Sequence, residues 1–309
     1  MTDQATGGPL QQGLRRFWRN RAAAISTVLL LAFCAIALVW PWLSGYQPRA
    51  LSNAQFVPPG AEHWLGTDLL GRDMLARVME GTRISLLIGF VGALVSLVVG
   101  VSWGVLSGYL GGWWDALLMR ALDLFYSMPA VIFVIVLIAV LEEQTKSLLQ
   151  NHLPPDSAPF VRMLFLLLGL GAVSWLTVAR IVRGEVLSLR TRTFVEASRA
   201  LGASQWHVLR RHILPNLSGI IIVCVVLNLP AVILYESFLS YLGLGVQPPQ
   251  ASIGTLIAEG AGQINPLRVC WWMVISPAIA LCGLLLTLGF IGDGLRDAFE
   301  RKESGSVRL

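Results

Sequence analysis

Long apolar runs separated by short polar stretches set the pattern of this chain. Residues 22–43, 84–114 and 269–292 carry no charged side chain, 121–141 is interrupted only by Asp123, 163–179 is short but extendable, and 213–235 ends at Glu236. About 20 apolar residues in a helix cross the hydrocarbon layer of a membrane with every backbone group paired internally. Six spans and an all-α integral membrane protein are therefore predicted. The polar stretches differ in kind. Between the first two spans, 44–83 opens with Pro48, Pro58, Pro59 and Gly60 and then turns amphipathic, with Leu75, Val78 and Met79 on one side and Arg72, Asp73 and Arg77 on the other. This predicts a short helix lying along the membrane surface.

Within the second span Gly92, Ser96, Gly100, Gly104 and Gly108 recur at every fourth position, a ladder of small residues that lets another helix backbone approach closely. Residues 100–104 also spell GVSWG, but the hydrolase pattern G-x-S-x-G needs a strand-turn-helix and triad partners that a mid-membrane helix does not offer. Pro129, Pro230 and Pro277 fall inside spans, where each removes a backbone hydrogen bond and invites a kink.

The second polar stretch, VEASRALGASQWHVLRRHILPN (195–216), interrupts two apolar runs. Thr193 to Leu201 reads as a short helix with Phe194, Ala197 and Leu201 on one face, and Gly202 sits where a left-handed cap belongs. Ser204 is placed to cap a second helix, 205–212, which Pro215 is expected to end.

Composition sharpens this picture. The chain is 55% hydrophobic and only 13% charged, with mean hydropathy +0.67, where a soluble domain carries about 25% charged residues. Sixteen of the 23 lysines and arginines fall on one side if the N-terminus is cytoplasmic, in the N-terminal tail, at Arg120, around the 195–216 stretch and in the C-terminal tail. Lysine and arginine in short loops stay inside, so both termini and the polar loop are predicted cytoplasmic. The net charge of +5 reflects this anchoring and implies no nucleic-acid partner. Arg210, Arg211 and His212 suit lipid headgroups and a protein partner equally. Cys34, Cys224, Cys270 and Cys282 lie in apolar runs and indicate neither a metal site nor a disulfide framework. No G-x-x-x-x-G-K-[ST] loop is present, so energy for uphill transport must come from elsewhere. A self-sufficient secondary transporter and a membrane hydrolase are the weaker readings.

At 196–215 the chain resembles the EAA loop of ABC importer permeases: Glu196, Ala197, Gly202, Leu214 and Pro215 match at the right spacing, while Ser198 replaces an alanine and His212 an isoleucine. The stretches HWLGTDLLGRDMLARV (63–78), GAVSWLTVARIVRGEVLSL (171–189), ESFLSYLGLGVQPP (236–249) and IGDGLRDA (291–298) extend the likeness to the dipeptide/oligopeptide/nickel family, most closely the C-type subunit of oligopeptide permeases. Tyr241, Ile253 and the ending Phe299-Glu300-Arg301 depart from its pattern.

The resemblance implies a type I ABC importer permease fold and a non-catalytic subunit in the cell membrane. It also implies a second permease as heterodimer partner, two cytoplasmic ATPase subunits holding ATP and Mg²⁺, and an extracytoplasmic solute-binding protein. This chain would bind no cofactor itself. Glu196, Ala197, Ser198, Arg199, Gly202, Ala203, Leu214 and Pro215 would form the ATPase-coupling loop. The cargo would be oligopeptide, with dipeptide, nickel chelate or glutathione as alternatives. On this reading the chain divides into a tail (1–21), a first anchor (22–43), an external segment (44–83), a five-helix core (84–292) containing the coupling loop at 183–215, and a tail (293–309).

Two carboxylates fall inside spans, where desolvation costs at least about 2.5 kcal/mol. Asp123 is expected to pair with Arg120 on its own helix, and Asp293 to cap a short C-terminal helix. Glu236 precedes a glycine-rich, non-helical stretch and is either a helix-packing partner, the weightier reading, or a pathway residue. With Ser240, Tyr241, Gly243 and Gly245 it makes up a candidate outer gate running on to residue 262.

Overall fold

The computed structural model describes residues 9–137, 139–140, 158–248, 250–266 and 268–299, with side chains from residue 13 and, after the longest break, from residue 164. The expected placements of Lys146, His152, Pro249, the Arg162 side chain and the residues after Phe299 lie outside the described residues. Helices α1 (Pro9–Arg19) and α2 (Arg21–Leu43) are joined at Asn20, whose side-chain oxygen accepts from Ala22 N and Ala23 N and so caps α2.

Helix α3 (Met74–Leu110) is longer than the pattern suggested and corrects two expectations. The amphipathic stretch is the first turns of this same helix, not a separate surface helix, because Asp73 caps it at its true start by accepting from Ala76 N at 2.8 Å. Arg77 then faces inward. The far end comes at Gly111, three residues before the charge-free run ends, where φ of +68° turns the chain. At 37 residues and about 1.5 Å each, α3 is about 55 Å long, well beyond the roughly 30 Å hydrocarbon layer. It is longer than the layer is thick and contributes to both ends of the bundle.

The expected third span, 121–141, is instead two helices, α4 (Gly112–Tyr126) and α5 (Ala130–Leu137), bent by 87°. The break is at Ser127 to Pro129. Pro129 has no N–H to continue α4, while its carbonyl accepts from Phe133 N at 3.0 Å and begins α5. Helix α6 (Ala158–Arg190) extends its apolar run to the basic flank. The loop helices α7 (Thr193–Ala200), α8 (Gln205–Val208) and α9 (Leu214–Asn216) follow, then α10 (Ser218–Tyr241), α11 (Ile253–Gly262) and α12 (Trp272–Phe299). Asp293 lies inside α12 and caps nothing, which corrects the expected short C-terminal helix. Among the described residues five helices are long and apolar enough to cross a membrane, and the bent pair α4–α5, taken as one, makes six.

The centre of the bundle is the α3–α6 seam. Added Cβ atoms on Gly100, Gly104 and Gly108 would stand 2.6, 2.9 and 2.9 Å from the Cβ atoms of Val178, Val182 and Val186. Four-residue steps on one helix meet four-residue steps on the other, and Ser96 is fully buried in the same row. Gly92 makes the equivalent approach to Val232 of α10. Helix α1 rests on the end of α12, with Phe17 buried near Ala23 and Gly294, and Phe299 against Gly13.

Candidate functional site

Two groups of residues singled out in the sequence lie at opposite ends of α3. At one end, the 193–216 loop is built from locally specified caps. Helix α7 closes with Gly202 N donating to Arg199 O (2.9 Å) and Ala203 N to Ser198 O (3.1 Å), the Schellman pattern that needs a left-handed residue at 202. Gly202 supplies it with φ of +84°. Ser204 accepts from His207 N at 3.2 Å and starts α8. Pro215 does not end the second helix as expected. A wider π-helical turn, Leu209–Ile213, precedes it, and the helical path continues through α9 towards α10. A π-turn shifts the hydrogen-bonding register by one residue, which lets a helical path survive near a residue without an N–H.

The loop is rooted and not floppy. Val195, Val208, Ile213 and Leu217 are fully buried against Val182 and Val186 of α6. Tyr109 Oη of α3 donates to Gln205 O at 2.6 Å, and Arg190 Nη1 reaches Gly108 O at 2.8 Å. Glu196, Ala197, Arg199 and Gly202 point away from the bundle, as does Pro215, while Ser198, Ala203 and Leu214 are half-buried. Leu201 and Trp206 are 89% and 66% exposed. Trp206 was not among the candidate residues, although a tryptophan in so polar a stretch is itself a signal.

Beside the loop, Asp115 of α4 takes two hydrogen bonds from Arg183 of α6, at 2.5 and 2.6 Å, and one from the Ser107 hydroxyl of α3. Asp123 pairs with Arg180 of α6 at 2.9 Å, not with Arg120 as expected. Arg180 also stacks over Tyr126, 4.2 Å from the ring centre. A neighbouring helix outcompetes the intrahelical partner because Arg180 offers Asp123 an ion pair and Tyr126 a cation–π contact together.

At the other end of α3 the candidate gate residues surround a buried carboxylate. Glu236 has no exposed surface and accepts from Ser240 (2.6 Å), Ser85 of α3 (3.0 Å) and Ser237 (3.4 Å). Helix α10 then ends as α7 does: Gly243 N donates to Ser240 O and Leu244 N to Leu239 O, with Gly243 at φ +80°. Gly245 is pressed on Ser240, where an added Cβ would come within 2.7 Å of the serine Cβ. Tyr241 is exposed. Ser252 and Thr255 form a reciprocal capping box that begins α11. The 236–240 serines are visible one and four residues from Glu236, but Ser85 and Ser252 come from distant chain and carry no local signal.

An ion network fixes the 44–73 segment at this same end. Asp68 takes Arg72 Nε at 2.6 Å and Arg77 Nη1 at 2.7 Å, and Arg77 holds Glu259 of α11 through two bonds of 2.6 and 3.0 Å. The Arg77 and Asp68 side chains are 3% and 1% exposed. His63 Nδ1 meets Asp73 at 2.9 Å, and Trp272 Nε1 donates to Thr67 O at 3.0 Å. Among the described residues no group of three or more metal-ligating side chains is assembled.

The geometry is that of a helical bundle with a capped, exposed helical loop at one end and a sealed polar cluster at the other. Residues 100–305 match the model for the binding-protein-dependent transport system inner membrane component, and residues 8–59 match the N-terminal TM domain of oligopeptide transport permease C. The chain belongs to the family of binding-protein-dependent inner membrane transport components. It is 40% identical to the oligopeptide transport system permease protein OppC of Haemophilus influenzae, over 95% of this chain and 88% of that protein. Against the OppC protein of Escherichia coli K12 the figures are 40%, 95% and 91%. Against the dipeptide permease DppC of Bacillus subtilis they are 36%, 94% and 85%. Among solved structures, an inward-facing MetNI methionine ABC transporter shares the fold at TM-score 0.55 and 20% identity, over 73% of this chain and 97% of that one. This family member is therefore a multi-pass inner membrane permease component and not an enzyme.

Proposed function

We propose that this chain is the oligopeptide-conducting half of an ATP-driven importer, paired with a second permease, two cytoplasmic ATPase subunits that bind ATP and Mg²⁺, and an external binding protein. Both termini and the 193–216 loop face the cytoplasm. The observation that carries this reading is the loop itself, a rigidly rooted bracket whose exposed surface includes Leu201 and Trp206. Exposed apolar residues on a fixed mount suit a partner that transmits a rigid-body push into α6 and α10. Glu196, Ala197, Ser198, Arg199, Gly202 and Ala203 form the contact, with Leu214 and Pro215 leading the force into α10. Glu236, Ser240, Tyr241, Gly243 and Gly245 belong to the outer gate, and the row Gly92, Ser96, Gly100, Gly104 and Gly108 is the packing seam that moves as one piece. The names of the OppC relatives support oligopeptide as cargo, while the DppC relative keeps dipeptide as a second reading.

Two measurements test the proposal. A membrane-impermeant maleimide should label a Leu201→Cys variant, made in a Cys282→Ser background, in inside-out vesicles and not in right-side-out ones. Proteoliposomes should accumulate a radiolabelled pentapeptide only when the ATPase subunits, binding protein and ATP are all present. Uphill uptake by this chain alone, or labelling from outside, would overturn it.

A further inference from the structure

Two of the serines around Glu236 are engaged on both sides. Ser85 Oγ accepts from Ile253 N at 3.3 Å and donates to Glu236 Oε2. Ser240 Oγ accepts from Val246 N at 3.3 Å and donates to Glu236 Oε1. Ser252 Oγ accepts from Thr255 N at 3.3 Å and caps α11 next to Ile253. A backbone N–H can only donate, and a hydroxyl has one hydrogen beside its two lone pairs. The Ser85 and Ser240 hydroxyls, each receiving an N–H, therefore have their hydrogen left for the carboxylate, whose two oxygens offer about four acceptor sites.

One of the relayed amides, Ile253, lies in the first turn of α11, where N–H groups lack intrahelical partners and negative charge is favoured. The close approach that makes this possible comes from glycine. An added Cβ on Gly81 would stand 3.1 Å from Ile253 N, and one on Gly254 would stand 2.8 Å from the Ser237 carbonyl carbon. A buried carboxylate is costly to keep, and an apolar side chain would pack α10 against α3 at less cost. Packing alone does not call for it.

We propose that Glu236 is a positioning residue that clasps the proposed gate: through Ser85 and Ser240 it pins both the start of α11 and the turn at Val246, so that one side chain sets the place of both. This rests on the gate reading above.

The test uses the assembled transporter in lipid nanodiscs. Glu236→Gln keeps the shape but replaces one acceptor oxygen by a donor. Amide hydrogen exchange at Val246 and Ile253 should rise by at least about tenfold, while the 178–186 stretch stays protected. Ser85→Ala should release Ile253 and spare Val246, and Ser240→Ala should do the reverse. In the Glu236→Gln/Ser240→Ala pair, Val246 should exchange no faster than in Glu236→Gln alone, since both changes cut one relay. The maximal uptake rate of the radiolabelled pentapeptide should fall about tenfold, with the half-saturating concentration of loaded binding protein unchanged. Unchanged exchange in Glu236→Gln, exchange that rises evenly through all helices, or a shifted half-saturation with the rate intact would each overturn the clasp. Two fast amides with unimpaired uptake would support the clasp and overturn the gate reading instead.

Discussion

At the α11 end of the bundle most buried polar groups are paired inside the chain, Arg83 Nε excepted, whereas at the 193–216 end large apolar side chains stand in the open. Arg77, Asp68 and Glu236 are almost wholly buried and each has its hydrogen-bonding partners. Leu201, Trp206 and Phe194 are exposed, on a loop whose roots Val195, Val208 and Ile213 are fully buried. The same α3 helix supports both, through Arg77 and Ser85 at one end and Gly108 and Tyr109 at the other. One end is largely completed by its own residues. The other has a fixed mount and an unfinished surface, which is what a partner-driven element needs.

The largest expected effect comes from breaking the completed end. Arg77→Met leaves Asp68 buried without its Arg77 bond and frees Glu259 from two, and removing one partner of a buried ion pair costs about 3 to 5 kcal/mol. The 40% exposure of Glu259 puts the loss near the lower figure, about 3 kcal/mol. The purified assembly should melt several degrees lower, and Asp68→Leu added to Arg77→Met should recover part of the loss. An unchanged melting temperature would show that the network contributes nothing.

A smaller and different effect is expected at the open end. Leu201→Glu changes a side chain that is 89% exposed, so the stability of this subunit should stay within about 0.5 kcal/mol of the parent's. The fraction of ATPase subunit co-purifying with it should drop about tenfold, equivalent to about 1.4 kcal/mol of binding. Full retention of the ATPase with Leu201→Glu would remove Leu201 from the contact. Val208→Glu at a fully buried root should instead unfold the loop and lose the ATPase by that route.

How much of this was legible follows the range of the forces involved. The Gly202 and Ser204 caps were readable because both hydrogen bonds close within six residues. The apolar runs were readable because membrane crossing depends on length and composition. What failed was partner choice. Asp123 sits three residues from Arg120 yet bonds Arg180, 57 residues away, and Arg77 reads as the polar side of a surface helix but turns inward to Glu259, 182 residues on. A charge takes the best counter-charge in space, and local spacing does not rank distant candidates. One helix end failed for a related reason, since Asp73 begins α3 through a hydrogen bond that an apolar count ignores, whereas the bend at Pro129 follows the kink that its missing N–H invites.

The seam that joins the two ends provides the finest test. Gly104 and Gly184 are both helical glycines, and replacing either by alanine removes the entropic penalty of glycine, worth about 0.5 to 1 kcal/mol. Their surroundings differ. A Cβ on Gly104 would stand 2.9 Å from the Val182 Cβ and 3.0 Å from Arg183 N, whereas one on Gly184 meets nothing within 4 Å. Gly104→Ala should therefore lose stability by about 1 to 3 kcal/mol, because backbone and a β-branched side chain cannot move aside cheaply. Gly184→Ala should be neutral or stabilising by up to about 1 kcal/mol. If the seam carries motion between the ends, Gly104→Ala should also slow coupled uptake while Gly184→Ala leaves it intact. Equal melting temperatures for the two variants would mean that the α3–α6 seam yields easily, and a seam that yields cannot transmit a push from the loop to the clasp.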